Sequence, residues 1–451
     1  LVRHKPLQKR STDARFRWQD QAAELATAMR GAAAAGGAFI VNMASTGCGK
    51  TLANARVMDA LAEPALGLRC CFALGLRTLT LQTARALRQA ARLHEDDVAV
   101  CVGGAASREL FEYHEQSAEA TGSASRAPLL GDDGGGVRFE GNTDAHPLLS
   151  RALADADVRR LLAAPVLVCT IDHLVPATES QRGGRQIAPM LRLMSSDLVI
   201  DELDDFDIDD LPAVARLVHW AGLLGSRVLI SSATLPPSLV QGLFEAYRAG
   251  RSHYALNRGT VPGATAPIAC AWIDEFHRDR LDCSDPAAFA AAQLAFVQRR
   301  AQALAKAPVR RRGELWPLDL DGADAATRRR QFAEQVLQAA LALHRRHHGT
   351  DPATGRRVSF GLVRMANIGP LFDVALALYA MGAPAGVRIH LCTYHSQYPL
   401  LLRSAIETQL DGVLDRRDPA AAFRHAAVRA GLDTHDEPDH LFIVLGSPVT
   451  E

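Results

Sequence analysis

The sequence alternates short, largely apolar segments with longer segments of helical periodicity, and this alternation constrains the fold more than any other feature. Runs such as Ala38–Met43, Cys70–Leu74 and Val166–Thr170 have no polar face, which is typical of strands buried on both sides. Between them, segments such as Leu52–Leu61 and Leu79–Leu93 carry apolar residues at helical spacing. Buried strands that alternate with helices predict an α/β fold with parallel sheets covered by helices.

The same pattern continues to the end of the chain and predicts two domains. The other predicted strands are Val98–Val102, Leu198–Ile200, Val228–Ser231, Ala269–Ile273, Val358–Val363, Val387–Thr393 and Leu441–Leu445. A segment rich in Gly, Pro and Thr at 257–267 interrupts the alternation, so we predict a first domain at 1–256 and a second at 257–451. Between about 105 and 150 the sequence is rich in Gly, Ser, Ala and Asp, which predicts a surface insertion in the first domain.

Composition excludes several classes of protein. The chain has 451 residues, 48% of them hydrophobic, with 50 Lys+Arg balanced by 50 Asp+Glu, which is typical of a globular protein and rules out wholesale disorder. No apolar run approaches the roughly 18 residues of a membrane span, and eight cysteines without a CxxC pair predict reduced thiols and a cytoplasmic location. Zero net charge excludes a globally basic nucleic-acid coat, so any nucleic-acid binding must use local patches.

A glycine-rich segment, Ala44–Thr51, follows the first predicted strand and opens a predicted helix. Its sequence, ASTGCGKT, places flexible backbone N–H groups and a helix N-terminus where both can surround a phosphate. Lys50, one of only four lysines in the chain, is predicted to bridge the β- and γ-phosphates of ATP, and the Thr51 hydroxyl to ligate Mg²⁺. The residues predicted to bind the phosphates are Thr46, Gly47, Cys48, Gly49, Lys50 and Thr51.

An acidic segment with the sequence DELD follows another apolar strand. Asp201 is predicted to hold Mg²⁺ together with Thr51, and Glu202 to polarise the attacking water. Asp204 is predicted to contact a third motif, SSAT, which ends the strand near residue 231. The carboxylates that continue to Asp210 are equally well explained by the solvated start of a helix. The expected cofactors are therefore ATP and Mg²⁺.

The motifs ASTGCGKT, DELD and SSAT, in this order, resemble those of the superfamily-two helicases. This resemblance implies a motor of two RecA-like lobes that clamp ATP. It further implies that Ser232 and Thr234 couple hydrolysis to movement, and that Gln19 in the segment FRWQ reads the adenine base. The contacts to nucleic-acid phosphates that it implies come from Arg77, Thr78, Thr170 and, in the second lobe, Arg364.

Longer segments narrow the resemblance to one branch. FIVNMASTGCGKT, VCTIDHLVPATES, SSDLVIDELDDFD and ISSATLPP together resemble the helicase part of the CRISPR-associated helicase–nucleases of type I systems, most closely type I-F. This resemblance implies a motor on single-stranded DNA, with a CRISPR surveillance (Cascade-type) complex and the CRISPR adaptation integrase as partners. It also implies that an HD nuclease domain and the end of the second lobe lie outside residues 1–451, so the second lobe is expected to be truncated.

Two alternatives remain open at this point. Another superfamily-two motor, acting on DNA or RNA, would carry the same three motifs. A protein with a phosphate-binding loop could instead bind nucleotide as a conformational switch, without unwinding anything. Comparing DNA with RNA as activators of ATP hydrolysis separates the first alternative, and strand displacement by a Lys50→Ala variant separates the second.

Overall fold

The computed structural model describes residues 1–2, 4–102, 161–179, 183–258, 262–264, 266–309, 312–395, 397–414 and 420–447. The chain forms two compact units, Leu1–Pro308 and Val309–Glu451. The insertion predicted at about 105–150 lies outside the described residues. None of the helices in the described ranges is both long enough and apolar enough to cross a membrane.

The first unit is built on an eight-stranded sheet. Its strands are β1 Ala38–Asn42, β2 Cys70–Leu74, β3 Val98–Cys101, β4 Val166–Thr170, β5 Asp197–Asp201, β6 Val228–Ser231, β7 Ile268–Ile273 and β8 Arg278–Cys283. They lie in the order β3-β4-β2-β5-β6-β1-β7-β8, and every pairing is parallel except that of β7 with β8. The neighbouring strands β5, β6 and β1 therefore end side by side at one edge of the sheet, where α/β folds bind their ligands.

Helices cover both faces of this sheet. They are α1 Lys5–Gln8, α2 Arg17–Gly36, α3 Lys50–Leu61, α4 Arg77–Ala91, α5 Gly183–Ser195, α6 Leu211–Leu224, α7 Pro237–Arg258 and α8 Pro286–Lys306. Alternate residues of β1 enter opposite cores: Phe39 and Val41 belong to one buried cluster, and Ala38 and Ile40 to the other. Because both faces of each strand are buried, the strands are apolar throughout rather than in alternation.

The second unit is built on a four-stranded sheet in the order β11-β12-β10-β9, with only β9 antiparallel. Its strands are β9 Gly349–Thr350, β10 Arg357–Arg364, β11 Val387–Tyr394 and β12 Asp439–Gly446. Its helices are α9 Ala325–His347, α10 Ile368–Met381, α11 Leu400–Val413, α12 Ala421–Arg424 and α13 Ala426–Thr434. One small core joins Leu371 and Val374 of α10 to Leu445 of β12, and another joins Val428 of α13 to Val358 of β10.

The predicted α/β class is confirmed, and all ten predicted strands are present with ends within two residues of the prediction. The apolar pattern does not predict β8 or β9. The sequence of β8, RDRLDC, carries charged residues on an edge strand that is largely exposed. Charged residues protect such edges from pairing with other chains, and they also remove the apolar signal from the sequence.

The boundary between the compact units differs from the predicted one. The sequence places it after residue 256, whereas the first compact unit extends to Pro308. Strand β7 is fully buried and pairs with β1 from Ala269 to Ile273, and α8 packs against β7 and β8. A loop rich in Gly and Pro marks the end of an element, but it does not show that the next strand returns to the same sheet.

Two histidines on neighbouring strands of the second unit lie within hydrogen-bond distance. His390 Nε2 lies 3.0 Å from His440 Nδ1, and His440 Nε2 lies 3.0 Å from the carbonyl of Glu437. A carbonyl only accepts, so His440 donates from Nε2; in a neutral His440, Nδ1 is then free of a proton and accepts from His390. Burial, followed by the nearby His440, Arg388 and His435, lowers the pKa of His390 to about 4, against the opposing effect of Glu437.

We expect the second unit to lose stability as the pH falls from about 6.5 to about 4. A histidine whose pKa is lowered by folding takes up its proton first in the unfolded state, so its stabilising contribution is complete above the unfolded pKa of 6.5. Amide exchange in β11 and β12, corrected for its intrinsic pH dependence, should accelerate across this interval. His390→Phe, which preserves an aromatic ring against Phe442, should flatten the response. Constant protection across the interval in the unmodified protein would contradict the assignment.

Candidate active site

The segment between β1 and α3 forms a tight loop with the geometry of a phosphate cradle. Its two glycines have positive φ angles, 84° at Gly47 and 79° at Gly49, which favour residues without a Cβ. A Cβ on Gly49 would also lie 2.6 Å from Gln19 Nε2. The N–H of Cys48 donates to the carbonyl of Ser45 at 3.1 Å, which closes the turn just before α3 begins at Lys50.

Gln19, which the resemblance assigns to adenine, contacts this loop. Its side chain is buried, and Nε2 donates to the carbonyls of Gly49 at 3.1 Å and of Cys48 at 3.4 Å. Trp18 Nε1 donates to the same Cys48 carbonyl at 3.3 Å. The Oε1 atom of Gln19 is buried without a hydrogen-bond partner among the described residues. The contact present is thus with the loop, and adenine recognition stays a prediction.

The parallel sheet brings the acidic pair beside the loop. Lys50 Nζ donates to Glu202 Oε2 at 3.1 Å, and Lys50 is only 5% exposed. Thr51 Oγ1 donates to Asp201 Oδ2 at 3.4 Å. Residues 150 positions apart in the chain meet here because β1 and β5 end at the same edge of the sheet. The four residues predicted to carry the chemistry therefore form one cluster.

Asp201 is buried and belongs to a chain of amide hydrogen bonds that the sequence did not reveal. Burial and the neighbouring Glu202 raise its pKa to about 6. Asn54 Nδ2 donates to Asp201 Oδ1 at 3.4 Å, and Asn54 Oδ1 accepts from Asn42 Nδ2 at 2.7 Å. Asn42 Oδ1 in turn accepts the N–H of Ala44, where the loop begins. The one sequence signal for these residues is an asparagine at an otherwise apolar position of β1 and of α3.

Glu202 has a left-handed backbone conformation, with φ 50° and ψ 57°. This conformation is uncommon for residues other than glycine and is typically kept where function requires it. It turns the chain sharply from β5 into a single 3₁₀ turn, Leu203–Asp205. The turn presents Glu202 to Lys50 while Asp201 remains inside the sheet edge.

The predicted contact between the acidic segment and the third motif is present. Asp204 Oδ1 accepts from Ser232 Oγ at 2.5 Å, and Asp204 Oδ2 accepts from Thr234 Oγ1 at 2.5 Å. Ser232 is also held to β1, because its N–H donates to the Asn42 carbonyl at 3.1 Å. One carboxylate thus joins the end of β5 to the end of β6 through two short hydrogen bonds.

The oxygen donors of Asp201 and Thr51 suit a hard divalent cation such as Mg²⁺. Mg²⁺ is commonly held by one or two protein oxygens, with waters and phosphate oxygens completing its shell. Within the described ranges, no group of three or more His, Cys, Asp or Glu residues forms a cage for a metal. The two oxygens of Asp201 and Thr51 fit a Mg²⁺ ion that shares its coordination with a polyphosphate.

The residues assigned to nucleic-acid contact are divided between the two compact units. Thr170, at the end of β4, is only 2% exposed, and its hydroxyl lacks a partner among the described residues, so in this conformation it does not reach the surface. Arg77 and Thr78 begin α4, but their side chains lie outside the described part of the chain. Arg364 is exposed at the end of β10 in the second unit.

Two further residues that sequence reasoning missed contact the loop. Glu275 Oε2 accepts the N–H of Ser45 at 3.0 Å, and an Arg300 NH2 group donates to Ser45 Oγ at 3.1 Å. Glu275 lies in the turn between β7 and β8, and Arg300 lies on α8. They are 230 and 255 positions from Ser45, and nothing in their local sequence distinguishes them from ordinary surface charges.

Comparison with known proteins gives close relatives in one family. No protein-family model matches the chain. Over its whole length it is 51% identical to the CRISPR-associated nuclease/helicase Cas3 subtype I-F/YPEST of Pseudomonas aeruginosa (strain UCBPP-PA14). It is 44% identical to the protein of the same name from Pectobacterium atrosepticum. The chain spans 42% and 41%, respectively, of the length of these relatives.

Solved structures show the same fold. The crystal structure of T. fusca Cas3 matches with a TM-score of 0.55 and 18% identity, covering 94% of this chain and 40% of that one. The structure of T. fusca Cas3-ATP matches with a TM-score of 0.54 and 17% identity, covering 95% of this chain and 40% of that one. The curated relatives confirm the resemblance drawn from the motifs, and the solved structures show that the fold is shared. Over its whole length, the chain is homologous to the helicase portion of the CRISPR-associated nuclease/helicases of subtype I-F.

Proposed function

We propose that the chain is a cytoplasmic ATP-driven motor that moves along single-stranded DNA during CRISPR type I interference. The observation that carries this proposal is the convergence of three motifs at one sheet edge: the loop after β1, the acidic pair after β5, and Ser232 with Thr234 after β6. The homology to proteins named nuclease/helicase supports it. So does the fold shared with T. fusca Cas3, one structure of which is named for its complex with ATP.

Each side chain of the cluster has a proposed task in hydrolysis. The loop amides from Thr46 onwards and the Lys50 ammonium bind the β- and γ-phosphates. Thr51 and Asp201 would hold Mg²⁺, which supplies positive charge against the charge that develops on the phosphates. Glu202 accepts a hydrogen bond from the attacking water and takes its proton. The hydrogen bond from Lys50 to Glu202 keeps both side chains beside the loop.

Coupling to movement is proposed to pass through Asp204. Glu202 and Asp204 lie two residues apart in one sharp turn. A displacement of Glu202 when the phosphate leaves therefore also moves Asp204. Asp204 holds Ser232 and Thr234, which end the neighbouring strand.

We also propose that the two compact units are the ATP-binding lobe and the second helicase lobe, with Arg364 contacting DNA phosphates from the latter.

The partners follow from the same homology and are part of the proposal. The chain spans less than half of the length of its relatives, whose names combine a nuclease with a helicase. We therefore propose that the motor feeds single-stranded DNA to an HD nuclease domain of the same polypeptide. A Cascade-type surveillance complex would recruit it, and the adaptation integrase would be a second partner.

The test is the response of ATP hydrolysis by the full-length protein to different nucleic acids. Single-stranded DNA should stimulate phosphate release, whereas RNA of the same sequence should not. The stimulation should weaken as salt increases, because contacts to phosphates release counterions, and it should depend little on sequence. Equal stimulation by RNA would instead identify a different superfamily-two motor. Tight nucleotide binding without stimulation or strand displacement would identify a switch.

A further inference from the structure

Ser45 lies at the start of the phosphate loop, and its N–H, hydroxyl and carbonyl groups each form a hydrogen bond. Its N–H donates to Glu275 Oε2 at 3.0 Å, and its hydroxyl donates to the Oε1 atom of the same carboxylate. Its carbonyl accepts the N–H of Cys48, which forms the turn of the loop. Any movement of Glu275 is therefore transmitted to the turn that shapes the phosphate cradle.

Glu275 is itself held firmly. It lies in the turn between β7 and β8, where Asp274 Oδ1 accepts the N–H groups of Phe276 at 2.7 Å and of His277 at 2.6 Å. Arg300, only 4% exposed, reaches across from α8 and donates to Glu275 at 3.0 Å. Its guanidinium also lies 3.1 Å from Asp274. A buried ion pair of this kind restricts the carboxylate to one position.

The charges of this cluster favour an ionised Glu275. Burial would raise its pKa, but hydrogen bonds from Ser45 and the positive charge of Arg300 outweigh that effect and leave the pKa lowered. Two carboxylates, Asp274 and Glu275, share the single guanidinium of Arg300. Glu275 therefore keeps a carboxylate beside a loop that has to receive polyphosphate, and Arg300 limits the repulsion.

We propose that Glu275 and Arg300 are positioning residues that hold the phosphate loop open for a nucleoside triphosphate by fixing Ser45. The inference rests on the proposed function of the loop. Glu275 lies on a hairpin and Arg300 on a helix, and both are outside the three motifs. Neither side chain touches the phosphates; Glu275 orders the loop, and Arg300 both orders Glu275 and neutralises its charge. A loop that adopts its competent form only part of the time binds with an affinity reduced by that fraction.

The test compares the dissociation constants of fluorescent ATP and ADP analogues for the full chain, with Mg²⁺ in excess. Glu275→Ala should weaken ATP binding about tenfold, as expected if the competent loop conformation falls to about a tenth of the population. Glu275→Gln retains an oxygen that can accept from Ser45 and should restore most of the affinity. Arg300→Met leaves two carboxylates without their partner, so it should weaken ATP binding more than ADP binding. The control is Asp282→Ala, which removes an exposed carboxylate from the same hairpin and should bind ATP as tightly as the unmodified protein does.

Amide exchange distinguishes positioning from a general loss of structure. In Glu275→Ala the loop peptide at 44–51 should exchange faster, while β2 and β4 keep their protection. Unchanged ATP affinity in Glu275→Ala would overturn the inference, as would equal losses in Glu275→Ala and Glu275→Gln. Lys50→Ala reports separately on the proposed function: if it binds ATP normally, the loop is not the nucleotide site at all.

Discussion

Lys50→Ala is expected to abolish ATP-driven strand displacement by the full-length protein and to lower kcat/KM for ATP hydrolysis by at least about 10²-fold, the usual cost of losing one preorganised group that stabilises developing charge. The Lys50 ammonium is buried at the N-terminus of α3, where no other lysine of the chain can replace it. It donates to the Glu202 carboxylate, which a bound polyphosphate would displace or share. Phosphate release and displacement of a labelled strand measure the effect directly.

Lys306→Ala is the matched control, because Lys306 is an exposed lysine at the end of α8. Glu202→Gln provides the complementary comparison. It removes the proposed base and should leave ATP bound but not hydrolysed, whereas Lys50→Ala should lose both binding and hydrolysis. Strand displacement that persists in Lys50→Ala at the normal rate would refute the motor function.

Arg192→Met is expected to give the largest loss of stability, about 3–5 kcal/mol in the free energy of unfolding of the first unit. It removes several buried hydrogen bonds from a charged donor, each of which contributes about 1.5–3 kcal/mol. Arg192 lies on α5 and is completely buried. No acidic side chain forms an ion pair with it in the described ranges; its guanidinium instead joins the segment before β4 to the start of β2. The groups that it donates to are the Cys71 sulfur and the carbonyls of Cys70, Leu161, Ala164 and Pro165.

Methionine fills much of the same volume but donates no hydrogen bond, so each of these buried carbonyls would lose a donor. Pro165 would keep the N–H of Cys70, and Ala164 an Arg69 NH1 group. Urea unfolding, followed by far-ultraviolet circular dichroism, should show a lower midpoint for Arg192→Met. Arg10→Met is the control, since the side chain of Arg10 is 80% exposed and its ion pair with Glu24 lies on the surface, where such pairs contribute about 0–1 kcal/mol. Equal midpoints for the two variants would show that the carbonyls find other partners.

The two-sided burial of the strands explains why so much of the fold could be predicted. A strand such as β2, with the sequence CCFAL, is buried at every position, so its apolar run is unbroken and its ends are clear. The same rule fails for β8, which is exposed and charged, and it cannot assign β7 to a sheet. Pairing partners depend on where the chain returns in space, which a local pattern does not contain.

The residues of the candidate site also fall into those that the sequence could predict and those that it could not. Lys50, Thr51, Asp201 and Glu202 each follow a strand or open a helix within a recognisable motif, and parallel strands bring such ends to one edge of a sheet. Asn54 has no such motif, because its importance lies in a contact with Asp201 that is visible only in three dimensions. Thr170 illustrates the opposite case, since a motif suggested a surface contact and the packing of β4 buries the side chain.

The sequence alone was sufficient to establish the α/β class, the order of the three motifs and the resemblance to one helicase branch. Each of these depends on short stretches of chain with strong local constraints. The tertiary structure decided where the first unit ends, which polar side chains support the loop, and that Gln19 contacts the loop rather than the solvent. The contact of Glu275 and Arg300 with Ser45 belongs to the second group. It joins residues more than two hundred positions apart, and only the pairing of β7 with β1 brings them together.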